Sequence, residues 1–597
     1  MSSGPTVEPN QAVESTRFDE RPTATRASHG MLDNAIVQIT LQRAFALTLV
    51  AAVGILCVPP VYYVIDSALG NGASGLTQML HDPAFGRTLE VTIYVALGSV
   101  LISVVVGTLL AWGAQGLSGR SQWLSNIPLI PLLMPFLAMV LGYIFLLDTS
   151  IGYGNWVLRK LMFWSHSGRG PFNVYTVPFI MIVTATSLIS FVYMFVRSAL
   201  AQLDEGVYDA AVASGASPVR AFLTVVLPML RPALVYSSLI GMLLALGQFT
   251  APLFLGVQQN ISVLATSIYA SQQLSPPNIP LAAAYGLPIT VAGLLFIALQ
   301  RIVLRNQEQY VSTGTKGTGR LIAKTGWLSR VALIGYGLLV VAGPIVSVAI
   351  VAFQPYWSQN VDLGKFTLAN FRAIFDDPSL ATAIKNSVSY AVAATAIVLP
   401  LGFGCAKLLY RRKLPVLTGI LDVLVSIPLG VPAVIFGIGF LIAYTIGPLD
   451  LYGDPIGLVL VYVVISLPFV TRMILVALLS LGNNLVDAGA VSGAPMWRRS
   501  LSLELPMLRP ALGNAAAICL IFAMHEFSAS VLVSSPTTQV MGVALYNQYA
   551  IGSTSVPAAL ALVMCALTAV CVLLALAVGH APRPRSAPRR GMFLRRG

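Results

Sequence analysis

The sequence predicts an all-α, polytopic membrane protein of about 12 transmembrane helices arranged as two homologous six-helix halves. Three observations carry that prediction. The chain has 597 residues, of which 56% are hydrophobic and only 10% charged, with a mean hydropathy of +0.80; a water-soluble domain carries far more charge. Apolar windows of roughly 20 residues, long enough to cross a ~30 Å hydrocarbon core as helix, recur along it. One polar stretch, Asp209 to Leu234, returns 278 residues later as Asp487 to Leu512 with 15 of 26 positions identical, including an unbroken run from Leu227/Leu505 to Leu234/Leu512.

The windows fall at about 44–66, 89–115, 127–147, 174–196, 231–255 and 282–305, and again at about 330–353, 386–409, 419–445, 456–479, 509–533 and 557–580. They are continuous apolar runs rather than short alternating ones, which selects helices over a membrane barrel. The expected organisation is a disordered cytoplasmic tail over 1–43, a first six-span domain over 44–305, a cytoplasmic linker over 306–329, a second six-span domain over 330–580 and a basic cytoplasmic tail over 581–597.

Orientation follows from where Lys and Arg collect. The linker carries Arg301, Arg305, Lys316, Arg320, Lys324 and Arg330; the 406–418 loop carries Lys407, Arg411, Arg412 and Lys413; the C-terminal tail is Arg-rich. Loops 256–281 and 534–556 hold no charged residue. Both termini, the linker and both repeated inserts are therefore expected in the cytoplasm of a multi-pass membrane protein. Arg159, Lys160 and Arg169 run against this rule, in a loop long enough to lessen their weight. The net charge of +13 reads as topology, because no basic stripe interleaved with aromatics suggests nucleic acid.

The duplication extends beyond the insert. Ile130-Pro131-Leu132 with Pro135 and Gly142 corresponds to Ile427-Pro428-Leu429 with Pro432 and Gly439; Gln248-Phe249 corresponds to Glu526-Phe527, and Ile268-Tyr269 to Leu545-Tyr546. Both halves share one topology, so the repeat is parallel. The proline pairs break a helix, either to line a pathway or to shape a bundle contact. Each insert starts with acidic and Ala residues, passes a Ser-Gly, and ends at Leu-Pro, which predicts a short helix, a glycine turn and a second helix. Arg231-Pro232 and Arg509-Pro510 are each expected to open a new helix.

Polar residues deep in apolar spans are expensive and thus functional candidates. Gln248 with Phe249, and His525 with Glu526 and Phe527, sit at equivalent places and are candidates for pathway lining; the alternative is hydrogen bonding to neighbouring helices. Arg197 and Arg472 are expected to anchor span ends. Cys57, Cys405, Cys519, Cys565 and Cys571 all lie in apolar runs without a C-x-x-C pair, so packing is their expected role and no metal site is indicated. No G-x-x-x-x-G-K-[ST] occurs, nor a metalloprotease motif or a nucleophile elbow. The chain is expected to hold no cofactor and to do no covalent chemistry.

The two inserts, with Asp209-Ala210-Ala211, Gly215 and Leu227-Pro228, and with Asp487-Ala488-Gly489, Gly493 and Leu505-Pro506, resemble the EAA loop of type I ABC importer permeases, with Asp for the usual Glu and Gly489 for the second Ala. The resemblance implies that these residues couple to two ATP-binding subunits, which bind the ATP and Mg, and that an extracytoplasmic solute-binding protein delivers the cargo. One chain carrying both copies is similar to fused permeases typified by ferric-iron importers, and less closely to those for thiamine, 2-aminoethylphosphonate and polyamines. The rival from another class is a secondary transporter of the facilitator type. Its G-x-x-x-D-R motif is absent where Gln115-Gly116-Leu117-Ser118-Gly119-Arg120-Ser121 stands.

Overall fold

The computed structural model describes residues 24–117, 119–161, 170–203, 205–305, 326–411, 414–445, 450–481 and 496–579. Every regular element among the described residues is a helix, and nine helices are long and apolar enough to cross a membrane, or up to twelve if each sharply bent pair counts as one span. The first half comprises α1 (Ala24–His81), α2 (Phe85–Gln115), α3 (Phe136–Leu147), α4 (Val177–Leu200), α5 (Glu205–Ala213), α6 (Arg231–Leu246), α7 (Leu264–Gln272) and α8 (Ile279–Arg305). The second comprises α9 (Gly343–Phe353), α10 (Pro378–Arg411), α11 (Pro415–Gly430), α12 (Ala433–Thr445), α13 (Pro455–Leu481), α14 (Leu505–His525), α15 (Met541–Ala550) and α16 (Ser555–Gly579).

The broken third spans follow from the proline pairs. A residue preceding proline is pushed out of the helical region by the pyrrolidine ring, and Met134 before Pro135 is extended at φ −96°, ψ 139°, as is Val431 before Pro432. The chain turns through 101° into α3 and through 107° between α11 and α12.

Each half has a three-helix core. Helices α2, α4 and α6 pack together in the first, and α10, α13 and α14 in the second. A shared device fixes the approach: Gly107 of α2 faces Val192 of α4, and Gly402 of α10 faces Val470 of α13, each so close that a Cβ on the glycine would lie under 3 Å from the valine side chain.

Three expectations are corrected. The tail expected to be disordered to residue 43 is helical from Ala24; once an apolar span has nucleated a helix, each further residue adds a hydrogen bond without a new nucleation cost. The fifth and eleventh spans are not continuous over 231–255 and 509–533. Helix α6 stops before Gly247 and α14 stops at His525, each followed by a short separate helix, Thr250–Leu255 and Ser530–Val533. The two Arg-Pro pairs also diverge. Arg231 opens α6 after a 69° bend, whereas Pro510 lies inside the continuous α14.

The two halves, expected over 44–305 and 330–580, also exchange helices. Helix α1 packs on α8 of its own half but also on α11 and α12 of the other, and α9 packs on α16 and on α3 of the other half. The exchange rests on two of the repeat's own glycines. A Cβ on Gly142 of α3 would lie 2.6 Å from the Pro344 carbonyl oxygen of α9, and one on Gly439 of α12 would lie 2.3 Å from the Pro60 carbonyl oxygen of α1. Without a hydrophobic driving force between helices in lipid, such close backbone approach supplies the packing energy.

Candidate functional site

The first insert takes the helix, turn and second-helix form. Helix α5 carries Asp209, Ala210 and Ala211, and ends where the Ala216 N–H donates to the Ala211 carbonyl (3.1 Å) and the Gly215 N–H to that of Val212 (3.0 Å). This double bond closes a helix on a left-handed residue, and Gly215 supplies it at φ +88°. Ser217 then caps the next helix by accepting from the Arg220 N–H at 3.3 Å. A π turn over Phe222–Val226 leads into Leu227, Pro228 and α6.

The inner face of this insert is seated on the bundle. Tyr208, Phe222 and Val226 are buried in one cluster with Leu110, Ala114 and Leu230, against which Ala211 and Leu227 pack. The Trp112 ring of α2 sits 4.8 Å from Phe222 and 5.6 Å from Tyr208 between centroids. The outer face leaves apolar groups uncovered: Val207, Val212, Val219 and Leu223 are all exposed, Val219 at 68%.

In the second insert, Asp487, Ala488, Gly489 and Gly493 lie outside the described residues. A π turn over Ser500–Glu504 stands where Phe222–Val226 stands in the first copy, and leads into Leu505 and Pro506 at the start of α14. Leu501, the counterpart of Leu223, is likewise exposed. Lys407, expected in a solvated basic loop, is instead buried inside α10; its ammonium is 2.5 Å from the Glu504 carboxylate.

The pathway candidates divide. Phe249 and Phe527, both buried, meet across the boundary of the halves at 5.6 Å between ring centroids. Each also packs on the tyrosine of its own half that the repeat pairs with it: Phe249 on Tyr269 at 5.8 Å, Phe527 on Tyr546 at 5.7 Å. The two tyrosines lie 6.1 Å apart, and Phe254 adds contacts to Phe527, Tyr546 and Tyr549. Helices α7 and α15, which carry the tyrosines, are held by matching bonds: Thr92 Oγ1 accepts the Leu264 N–H at 2.9 Å, and Ser387 Oγ accepts the Met541 N–H at 2.8 Å.

The polar members have hydrogen-bond partners of their own. The Glu526 carboxylate accepts the Ala529 and Ser530 N–H groups, both at 2.8 Å, and the Ser530 hydroxyl at 2.6 Å; it caps the short helix that follows the break. His525 Nε2 lies 3.2 Å from Thr568 Oγ1 of α16. Gln248 Oε1 accepts its neighbour Phe249's N–H at 3.1 Å. Arg197 of α4 donates to the Ser125 carbonyl at 2.9 Å, and Arg472 of α13 pairs with Asp422 at 2.6 Å. Trp112, Tyr208 and the Lys407–Glu504 pair were missed as site residues. A lysine in register with a tryptophan of the other half was the available signal.

A duplicated helical bundle, with a repeated insert at one end of each half and an aromatic contact between the halves, defines a membrane transport subunit. Residues 99–309 and 398–586, more than half of the chain, match the family described as binding-protein-dependent transport system inner membrane component, and the chain belongs to that family. It is thus the permease component of an ABC importer and not itself a catalyst, which removes the facilitator alternative. Membership implies a solute-binding protein and an ATPase as partners.

Among its relatives are the putative ferric transport system permease FbpB 1 of Haemophilus influenzae, 24% identical over 74% of this chain and 69% of that one. The ferric transport system permease FbpB of Actinobacillus pleuropneumoniae is 24% identical over 82% and 71%. The putative 2-aminoethylphosphonate permease PhnV of Salmonella paratyphi A is 27% identical over 25% of this chain and 56% of its own.

Proposed function

We propose that the chain moves a binding-protein-delivered solute, with ferric iron the first candidate, across the bacterial inner membrane by alternating access, driven by two ATP-binding subunits that dock on the two inserts. The observation that carries the docking is the form of the first insert. It has an apolar inner face seated on the transmembrane core and an outer face with Val207, Val212, Val219 and Leu223 uncovered. Exposed apolar groups on a rigid, glycine-closed turn suit a protein partner. Asp209, Ala210, Ala211, Gly215, Leu227 and Pro228, with their counterparts Asp487, Ala488, Gly489, Gly493, Leu505 and Pro506, form the two sockets. ATP and Mg belong to the partner.

The inserts and both termini face the cytoplasm in this reading, on the strength of the Lys and Arg distribution. The contact of Phe249 with Phe527, ringed by Tyr269, Phe254, Tyr546 and Tyr549, closes the route between the halves. Rocking of the halves on ATP binding separates the rings. Ferric iron is favoured by two relatives that match most of this chain; a 2-aminoethylphosphonate is favoured by three that each match a quarter of it, and thiamine and polyamines remain the further alternatives.

The test is reconstitution of the chain in liposomes with its ATPase and binding protein. Iron-loaded binding protein should stimulate ATP hydrolysis and radiolabelled iron accumulation. Stimulation by a phosphonate, thiamine or polyamine instead would replace the cargo and leave the class standing.

A further inference from the structure

The two inserts are joined to their bundles by opposite chemistry at matching positions. The bonds of Thr92 and Ser387 and the contacts of Gly107 and Gly402 align α2 with α10. That alignment places Trp112 on Lys407, while the repeat places Phe222 on Ser500 and Val226 on Glu504. In the first half the three make an apolar joint: the Trp112 ring on Phe222 at 4.8 Å, with Val226 buried beside them. In the second, the Lys407 ammonium donates to the Ser500 hydroxyl and to Glu504 Oε2, the latter at 2.5 Å. Arg411 reaches the other carboxylate oxygen at 3.7 Å.

Lys407 is 6% exposed and Glu504 4%. Burying both charges is justified energetically only while each keeps its partner and its hydrogen bonds. All three positions have changed together, aromatic to lysine, aromatic to hydroxyl, aliphatic to carboxylate, which is what a single joint requires. Both joints include a π turn, Phe222–Val226 in the first half and Ser500–Glu504 in the second, a local unwinding frequent at functional sites.

We infer that Lys407, Ser500 and Glu504 form an ionic joint tying the second insert to α10, and that Lys407 and Glu504 are positioning residues for coupling ATP hydrolysis to transport, the counterpart of the Trp112–Phe222–Val226 joint. A ring stack tolerates sliding, whereas a buried ion pair holds one geometry and separates only at high cost. The coupling role rests on the reading that the inserts dock the ATPase.

The experiment uses the full complex in liposomes and measures solute moved per ATP hydrolysed, together with ATPase co-purification. Glu504→Gln should retain ATPase co-purification and ATP hydrolysis while transport per ATP falls about tenfold or more. Lys407→Met should do the same. The triple change Lys407→Trp, Ser500→Phe and Glu504→Val, which rebuilds the joint of the first half, should return transport per ATP to within about threefold of the parent. Unchanged transport per ATP in Glu504→Gln overturns the inference. So does a loss that tracks only the amount of folded protein, or a well-folded triple variant as uncoupled as the single ones. Failure of the unaltered chain to retain the ATPase would instead overturn the docking reading itself.

Discussion

Replacing Gly215 separates backbone geometry from crowding, because a Cβ built there meets nothing within 4 Å while its φ is +88°. Any loss on substitution is therefore the cost of holding an L-residue in the left-handed region. That cost is about 1–2 kcal/mol for an ordinary residue, less for Asn, whose side chain tolerates the region, and more for a β-branched residue. One or two kcal/mol changes the ratio of formed to unformed turn about 5–30-fold. The double hydrogen bond from Gly215 and Ala216 would open with it, and the insert would lose the shape offered to the ATPase. The assay is titration of the ATPase onto the liposome-embedded chain, with uptake measured on the same preparations. Affinity and uptake should fall in the order Gly, Asn, Ala, Val, with Val down at least tenfold and the protein still in the membrane. Equal behaviour of Asn and Val, or a Val variant that binds as the parent does, would refute the reasoning.

The helix exchange predicts opposite signs for two glycines. Gly439→Ala forces a Cβ onto the immobile Pro60 carbonyl and should destabilise by about 1–3 kcal/mol, read as a lowered Tm in detergent, whereas Gly419→Ala, with nothing within 4 Å, should be neutral or stabilising by up to about 1 kcal/mol. Phe249→Ala and Phe527→Ala should each admit solute without ATP, and their double-mutant cycle for unfolding should return a coupling of about 0.5–1.5 kcal/mol; additive effects would deny the ring contact. Glu526→Gln sets an amide N–H₂ against backbone N–H donors, costing about 1–3 kcal/mol, with uptake reduced more than in Glu526→Asp; unchanged Tm and uptake would remove the cap from the account.

Much of the architecture was legible because its signals are local. Apolar windows of bilayer length, proline pairs at 131/135 and 428/432, and a glycine between two helical stretches dictate spans, breaks and a turn without reference to anything distant. The duplication supplies the partners: the repeat aligns Phe249 with Phe527 and Tyr269 with Tyr546, and the rings of each pair meet. The exchange of α1 and α9 was not legible, because a helix that is apolar all round carries no mark of which neighbour it will take. Lys407 was read as a topology signal, since nothing local distinguishes a solvated loop lysine from one buried against a carboxylate 97 residues away.

The sequence by itself determined the class, the order of the apolar segments, and the presence of two inserts, because membrane solvation and duplication both leave their record in single-chain pattern. Only the tertiary structure decided what each polar group does. It turned Glu526 into a helix cap, seated Lys407 on Glu504, and gave the same eight residues, Leu227–Leu234 and Leu505–Leu512, two different paths, bent before Arg231 and continuous through Arg509. Identical local chemistry cannot choose between those paths. The surroundings do, since in the bilayer each backbone and charged group must find its partner within the protein, and which partner is near is set by how the helices pack.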